Sequence, residues 1–233
     1  FDLKTFKVTG EIPSAQEDTD GVIYEPATKR VFVVNGDSAT ASIIDATTDK
    51  LVTNLPLGGR PEYLAPDENG HVFVALTDKK EVVRVDAKTA KVDARWPMPD
   101  CERAHGLALD KAAHRLFASC ANAKMAVIDS EKGAVLAMLP IGKGTDAAAF
   151  DPKRKLAFSS NGEGTLSVIH EDSADKFTAL GEIPTKPFAR TMALDPESGR
   201  LFLVTADLDE VDPKAEALNK RYQVRRGTVQ LLF

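Results

Sequence analysis

The chain has 233 residues, 43% of them hydrophobic and 28% charged, with a formal net charge of −5, which is globular composition with apolar material for a sizeable core and argues against disorder. Lys and Arg are scattered among acids without forming blocks, so nothing marks the chain as a DNA- or RNA-binding protein. No run approaches the roughly 18 uninterrupted apolar residues of a membrane-spanning helix.

The opening residues, Phe1-Asp2-Leu3-Lys4-Thr5, lack an initiator Met and the basic-then-apolar plan of a secretory signal, which reads as a processed protein or a fragment. From there a repeat runs through the chain. An apolar residue followed by Pro recurs at Ile12-Pro13, Leu55-Pro56, Trp96-Pro97, Leu139-Pro140 and Ile183-Pro184, at spacings of 43, 41, 43 and 44. An Asp closes an alternating apolar stretch at Asp2, Asp45, Asp86 and Asp129, with His170 in the fifth place. Between these marks lie apolar runs beginning at Val31, Val72, Leu116, Leu156 and Leu201. Three marks in phase five times define a period of about 42 residues.

Each unit reads as four short strands, A to D, bounded by turn residues. The unit at 60–97 shows the plan: A is Glu62 to Ala65, B is His71 to Leu76, C is Glu81 to Val85 and D is Lys91 to Trp96. Pro66-Asp67-Glu68-Asn69-Gly70 and Asp86-Ala87-Lys88-Thr89-Ala90 reverse the chain between them. Nothing in the unit sustains a helical period. A four-stranded antiparallel sheet repeated at this length is a propeller blade. The fold class is therefore all-β, a β-propeller of about five blades in a single 1–233 domain. In chain order the blades are about 20–56, 60–97, 103–140, 145–184, and 190–233 completed by 1–12. Residues 1 to 12 are expected to supply the end of a strand C and a strand D, and residues 190 to 233 the matching A, B and C.

The cadence Ile43-Ile44-Asp45-Ala46-Thr47-Thr48-Asp49-Lys50-Leu51, repeated as Arg84-Val85-Asp86-Ala87-Lys88-Thr89-Ala90-Lys91-Val92, resembles the YVTN-repeat, YncE-like propellers of bacteria. Phe158 to Leu166, His170-Glu171-Asp172-Ser173 and Ala189 to Pro196 resemble one uncharacterised branch of that family. The resemblance covers the whole chain and implies an exported, seven-bladed protein without an assigned activity, here lacking its first two blades. A closed five-bladed ring is the competing arrangement.

In a propeller, strand A lines the channel and the D-to-A and B-to-C loops share one rim, where function tends to collect. Counting back from the residue that ends each strand A places Asp20, Glu62, His105, Asp146 and Arg190, with Thr191 beside the last, at the channel mouth. One polar side chain per blade suits a charged pocket for a small molecule, glycan or protein. Alternatively Asp20, Glu62, His105 and Asp146 are ligands for a divalent cation, calcium or similar. A solvated rim is the plain reading of the same residues. Cys101 and Cys120 fall on this rim in one blade, so a disulfide and an oxidising compartment are expected, the other reading being two small buried residues. An insertion at 207–226, acidic at Asp207, Asp209, Glu210 and Asp212 and basic at Lys220, Arg221, Arg225 and Arg226, reads as a lid, a docking loop or a plain surface excursion. Trp96 reads as core, and His71, His114 and His170 as structural or exposed.

No phosphate loop, His-Glu-x-x-His or nucleophile elbow occurs. The leading expectation is thus a non-enzymatic, periplasmic or extracellular binding scaffold. A lactonase- or lyase-like enzyme with a cation in the channel rests on fold analogy alone.

Overall fold

The computed structural model describes residues 1–14, 16–214 and 221–233, which fall into two compact units, Phe1–Pro99 and Asp100–Phe233. The first unit holds two antiparallel sheets. β1 (Thr19–Glu25), β2 (Arg30–Asn35), β3 (Thr40–Asp45) and β4 (Lys50–Pro56) form one, and β5 (Pro61–Pro66), β6 (His71–Leu76), β7 (Glu81–Asp86) and β8 (Lys91–Pro97) the other. Strands are hydrogen-bonded in chain order, as expected of blades, and the strand limits of the 60–97 blade agree with the sequence reading to within one residue.

The second unit holds three blades. β9 (Ala104–Asp110), β10 (Arg115–Cys120), β11 (Lys124–Asp129) and β12 (Val135–Pro140) make the third. β13 (Thr145–Asp151), β14 (Leu156–Asn161), β15 (Thr165–Ser173) and β16 (Lys176–Pro184) make the fourth. The fifth has three strands, β17 (Thr191–Leu194), β18 (Leu201–Thr205) and β21 (Gln230–Leu232), in the order A, B, C. Between its B and C strands the insertion forms a small hairpin, β19 (Leu208–Glu210) against β20 (Tyr222–Val224). The expected acidic and basic ends face each other across it, Glu210 on Arg221 at 2.6 Å and Asp209 on Arg225. Residues 215–220 of that insertion, Lys220 included, lie outside the described residues.

Residues 1–12 depart from expectation. They carry the strand D pattern, yet form no strand, and Phe1, Leu3, Phe6 and Val8 are exposed. A strand exists only through hydrogen bonds to a neighbour, so a matching side-chain pattern cannot make one where no partner is paired with it. The segment instead closes a local turn, with Phe6 N donating to Asp2 O at 2.8 Å and the amides of Lys4 and Thr5 donating to Asp2 Oδ1.

Apolar B and C strands bury because blade packs on blade. In the first unit Phe32, Val34, Ile43, Leu64, Val74 and Val83 share one core, all 3% exposed or less. In the second, Phe117 is fully buried, stacked on Phe150 with centroids 5.2 Å apart and met edge-on by Phe177 at 6.0 Å. Burying each such side chain contributes roughly 2–3 kcal/mol. Trp96 is core as expected, stacked on Phe73 at 5.6 Å.

The turns are built from local side-chain bonds. Asp45, Asp67, Asp86, Asp110, Asp129, Asp151 and Asp195 each accept backbone amides two to four residues ahead, which is why Asp punctuates the repeat. Every four-stranded blade also slips register in its C–D pair, at Ile43/Ile44, Arg84/Val85, Val127/Ile128 and Val168/Ile169.

Candidate functional site

Along one edge of each blade the start of strand A meets the B-to-C turn. A side chain in that turn catches an amide of the incoming loop in four successive blades. Glu17 N donates to Ser38 Oγ at 2.8 Å, Arg60 N to Asp78 Oδ1 at 2.6 Å, Glu102 N to Asn122 Oδ1 at 3.3 Å and Lys143 N to Glu163 Oε1 at 2.9 Å. In the third blade the same junction is also covalent. Cys101 and Cys120 form a disulfide with Cα atoms 5.2 Å apart, both fully buried. A set of polar side chains presented here sits on an edge that its own loops hold firm.

The six residues chosen from the sequence all lie at the beginning of strand A. Asp20 is exposed in β1, Glu62 and His105 are half-buried in β5 and β9, Asp146 is half-buried in β13, and Arg190 and Thr191 are exposed at the entry to β17. Four of them fall inside a register slip against strand B: Asp20 between Thr19 and Val22, Glu62 between Pro61 and Tyr63, His105 between Ala104 and Leu107, and Asp146 between Thr145 and Ala148. Such a bulge turns one side chain out of the alternation of its strand, a common device beside binding sites. The two-residue alternation alone does not reveal it.

Three of the six come together. Arg190 Nη1 lies 3.4 Å from Asp146 Oδ1, and Thr191 Oγ1 donates to Asp146 Oδ2 at 3.5 Å. The Arg190 carbonyl accepts a hydrogen bond from Ser160 Oγ, so its backbone is fixed independently of its side chain. Close by in the chain, the hairpin closes over the loop before β17. Tyr222 and Phe188 meet at 5.3 Å, and a cavity of about 290 Å³ opens among Lys186, Pro187, Phe188, Ala206, Asp207 and Tyr222. Amphipathic rings next to cationic and acidic groups suit a polar ligand with an apolar face.

The first unit carries a second polar cleft that sequence reasoning missed. Arg60 is paired with Asp18 at 2.5 Å and with Asp37, and the surrounding cavity of about 370 Å³ is lined also by Gly36, Gly58, Gly59 and Asp78. Its signal, an Arg and two Asp residues in the D-to-A and B-to-C loops, was not visible as a repeat because the other blades place different residues there. Among the described residues no three His, Cys, Asp or Glu side chains gather as a metal-binding group, and Asp146, one of the four expected ligands, is engaged by Arg190 and Thr191. No described helix is long and apolar enough to cross a membrane.

No protein-family profile matches the chain. It is 24% identical over 219 aligned residues to the proteins named YncE from Salmonella typhimurium (strain LT2) and Salmonella typhi, both described as uncharacterized. The match covers 87% of this chain and 61% of each relative, so the chain spans about three-fifths of their length. Among solved structures it is similar to a chain of Kuenenia stuttgartiensis hydrazine synthase, with a TM-score of 0.67, 16% identity, and coverage of 97% of this chain and 66% of that one. At that identity the likeness concerns the fold alone.

Proposed function

We propose that this chain, a YncE-like β-propeller by sequence and fold, is the binding part of an exported scaffold that engages a protein, glycan or small molecule through the strand A edge of its blades. The observation that supports this most directly is the cluster of Asp146, Arg190 and Thr191 beside the cavity at Phe188 and Tyr222. Charged, half-exposed groups there are set on strand entries whose backbone is held by other contacts. The cysteine pair at the same edge is consistent with an oxidising, periplasmic or extracellular compartment.

The test is capture of partners from an envelope extract of the source cell by cross-linking, with wild-type chain against Asp146→Lys, Arg190→Glu and Tyr222→Ser. A partner held by the wild type and lost from all three, at unchanged melting temperature, supports the reading. Undiminished capture by these variants removes it.

A further inference from the structure

In the first three blades the residue after the repeat Asp is small: Ala46, Ala87 and Ser130. Its amide bonds back to the A-to-B turn, Ala46 N to Lys29 O, Ala87 N to Gly70 O and Ser130 N to His114 O. In the fourth blade Glu171 N makes the same bond to Lys155 O, so a carboxylate occupies a position otherwise filled by a methyl or hydroxymethyl group. Glu171 is 1% exposed, and its carboxyl shares the Lys155 ammonium with that of Asp110 of the third blade, itself 2% exposed. Among the described residues no donor hydrogen-bonds Asp110 Oδ2 or either Glu171 carboxylate oxygen. Lys155 Nζ stands at 3.5 Å from Asp110 and 3.9 Å from Glu171. One ammonium cannot neutralise two buried carboxylates, and both ionised would repel in a medium of low polarity.

We infer that Asp110 and Glu171 form a single-proton site at the seam between the third and fourth blades, a proton on Glu171 donating to Asp110 and closing the seam. The charged groups acting on it are Lys155 of the fourth blade and Arg115 from β10, which is itself paired with Asp129 of β11 at 3.4 Å and with Asp175 of the fourth blade at 3.3 Å. Arg115 also crosses the seam, its Nε donating to Ala174 O at 2.6 Å. The same seam therefore carries a contact that does not depend on the shared proton.

Burial, then the hydrogen bond with Asp110 and its charge, push the Glu171 carboxyl up to about 7, against the pull of Lys155 and Arg115. Burial acts upward on Asp110 too, but the bond from Glu171 and the amides of Ala112 and Ala113 hold it below its ordinary value. The folded chain thus binds a proton that the unfolded chain, with Glu171 near 4.5, releases. The contribution of Glu171 is complete below about pH 4.5 and is lost as pH rises through about 7. Asp110 acts oppositely, its contribution being lost as pH falls below its ordinary value of 3.8.

The experiment compares the chain with Glu171→Gln, which keeps the donor, and Glu171→Ala, the residue that the first two blades carry. Calorimetric unfolding near pH 6 in buffers of different ionisation enthalpy should release about one proton more from the wild type than from either variant. The wild-type melting temperature should fall between pH 5 and 7 by several degrees more than that of Glu171→Gln. Equal proton release, equal slopes, or a wild-type melting temperature that drops on adding a chelator would each overturn the proposal. The wild-type proton release decides alone if a variant does not fold.

Discussion

The guanidinium of Arg190, at the entry to the fifth blade, lies 3.4 Å from the carboxylate of Asp146, at the entry to the fourth. Both side chains are partly open to solvent, at 46% and 26% exposure, so the attraction is screened and the pair contributes at most about 1 kcal/mol. The geometry is kept by other bonds, above all the Ser160 hydroxyl on the Arg190 carbonyl.

Arg190→Ala is accordingly expected to lower stability by no more than about 1 kcal/mol, whereas Ser160→Ala, which removes a buried donor, should cost about 1–2 kcal/mol. Thermal melts of the two variants check the ordering. A larger loss from Arg190→Ala would show the side chain to be structural and would make it unsuitable as a binding probe.

The Cys101–Cys120 bridge closes a loop of 19 residues of chain separation. By chain entropy such a loop is worth about 3 kcal/mol. Replacing both residues by Ala, or reducing the wild type, should lower the unfolding free energy by that amount, read as a lower denaturant midpoint, while the amides of Glu102 and Ala121, bonded across the same junction, keep the blade able to fold. Chemical denaturation with and without reductant measures it.

Gly106 runs against the neighbouring strand so closely that a Cβ there would lie 2.4 Å from Ala148 N and 2.5 Å from the Ala147 carbonyl carbon. The obstacle is backbone, which cannot swing aside. Gly106→Ala should therefore cost about 2 kcal/mol or more and Gly106→Val more still, read as a stepwise fall in melting temperature.

Lys29 sits at φ +55 in the turn before β2, where the second blade has Gly70 at φ +106 and the fifth has Gly199 at φ +73. A side chain in this left-handed region is strained. Lys29→Gly should stabilise the chain by up to about 1 kcal/mol, and Gly70→Lys should destabilise it by at least as much. Since nothing lies within 4 Å of a Cβ placed on Gly70, a loss there would be due to backbone conformation alone.

Much of the architecture was legible in the residues because blades are local objects. The Asp turns bond within two to four residues, and strands A to D are successive neighbours, so period and turn chemistry suffice to draw them. The candidate edge was legible as a position in the repeat, yet the joining of Asp146 to Arg190 and Thr191 depends on how β13 and β17 stand side by side. The hairpin of the insertion was hidden for a related reason. Its acidic and basic ends are both conspicuous, but only the register of β19 on β20 turns them into pairs.

By itself the sequence determined the repeat, the four-strand plan and the place of Cys101 and Cys120 on one rim of one blade, all of which follow from short-range bonding and apolar alternation, while their pairing is shown by the structure. Tertiary structure alone decided that residues 1–12 have no strand despite their pattern, that bulges turn Asp20, Glu62, His105 and Asp146 out of alternation, and that Glu171 is buried against Asp110. Strand pairing and the burial of charge are properties of partners distant in the chain, and no window of sequence contains both.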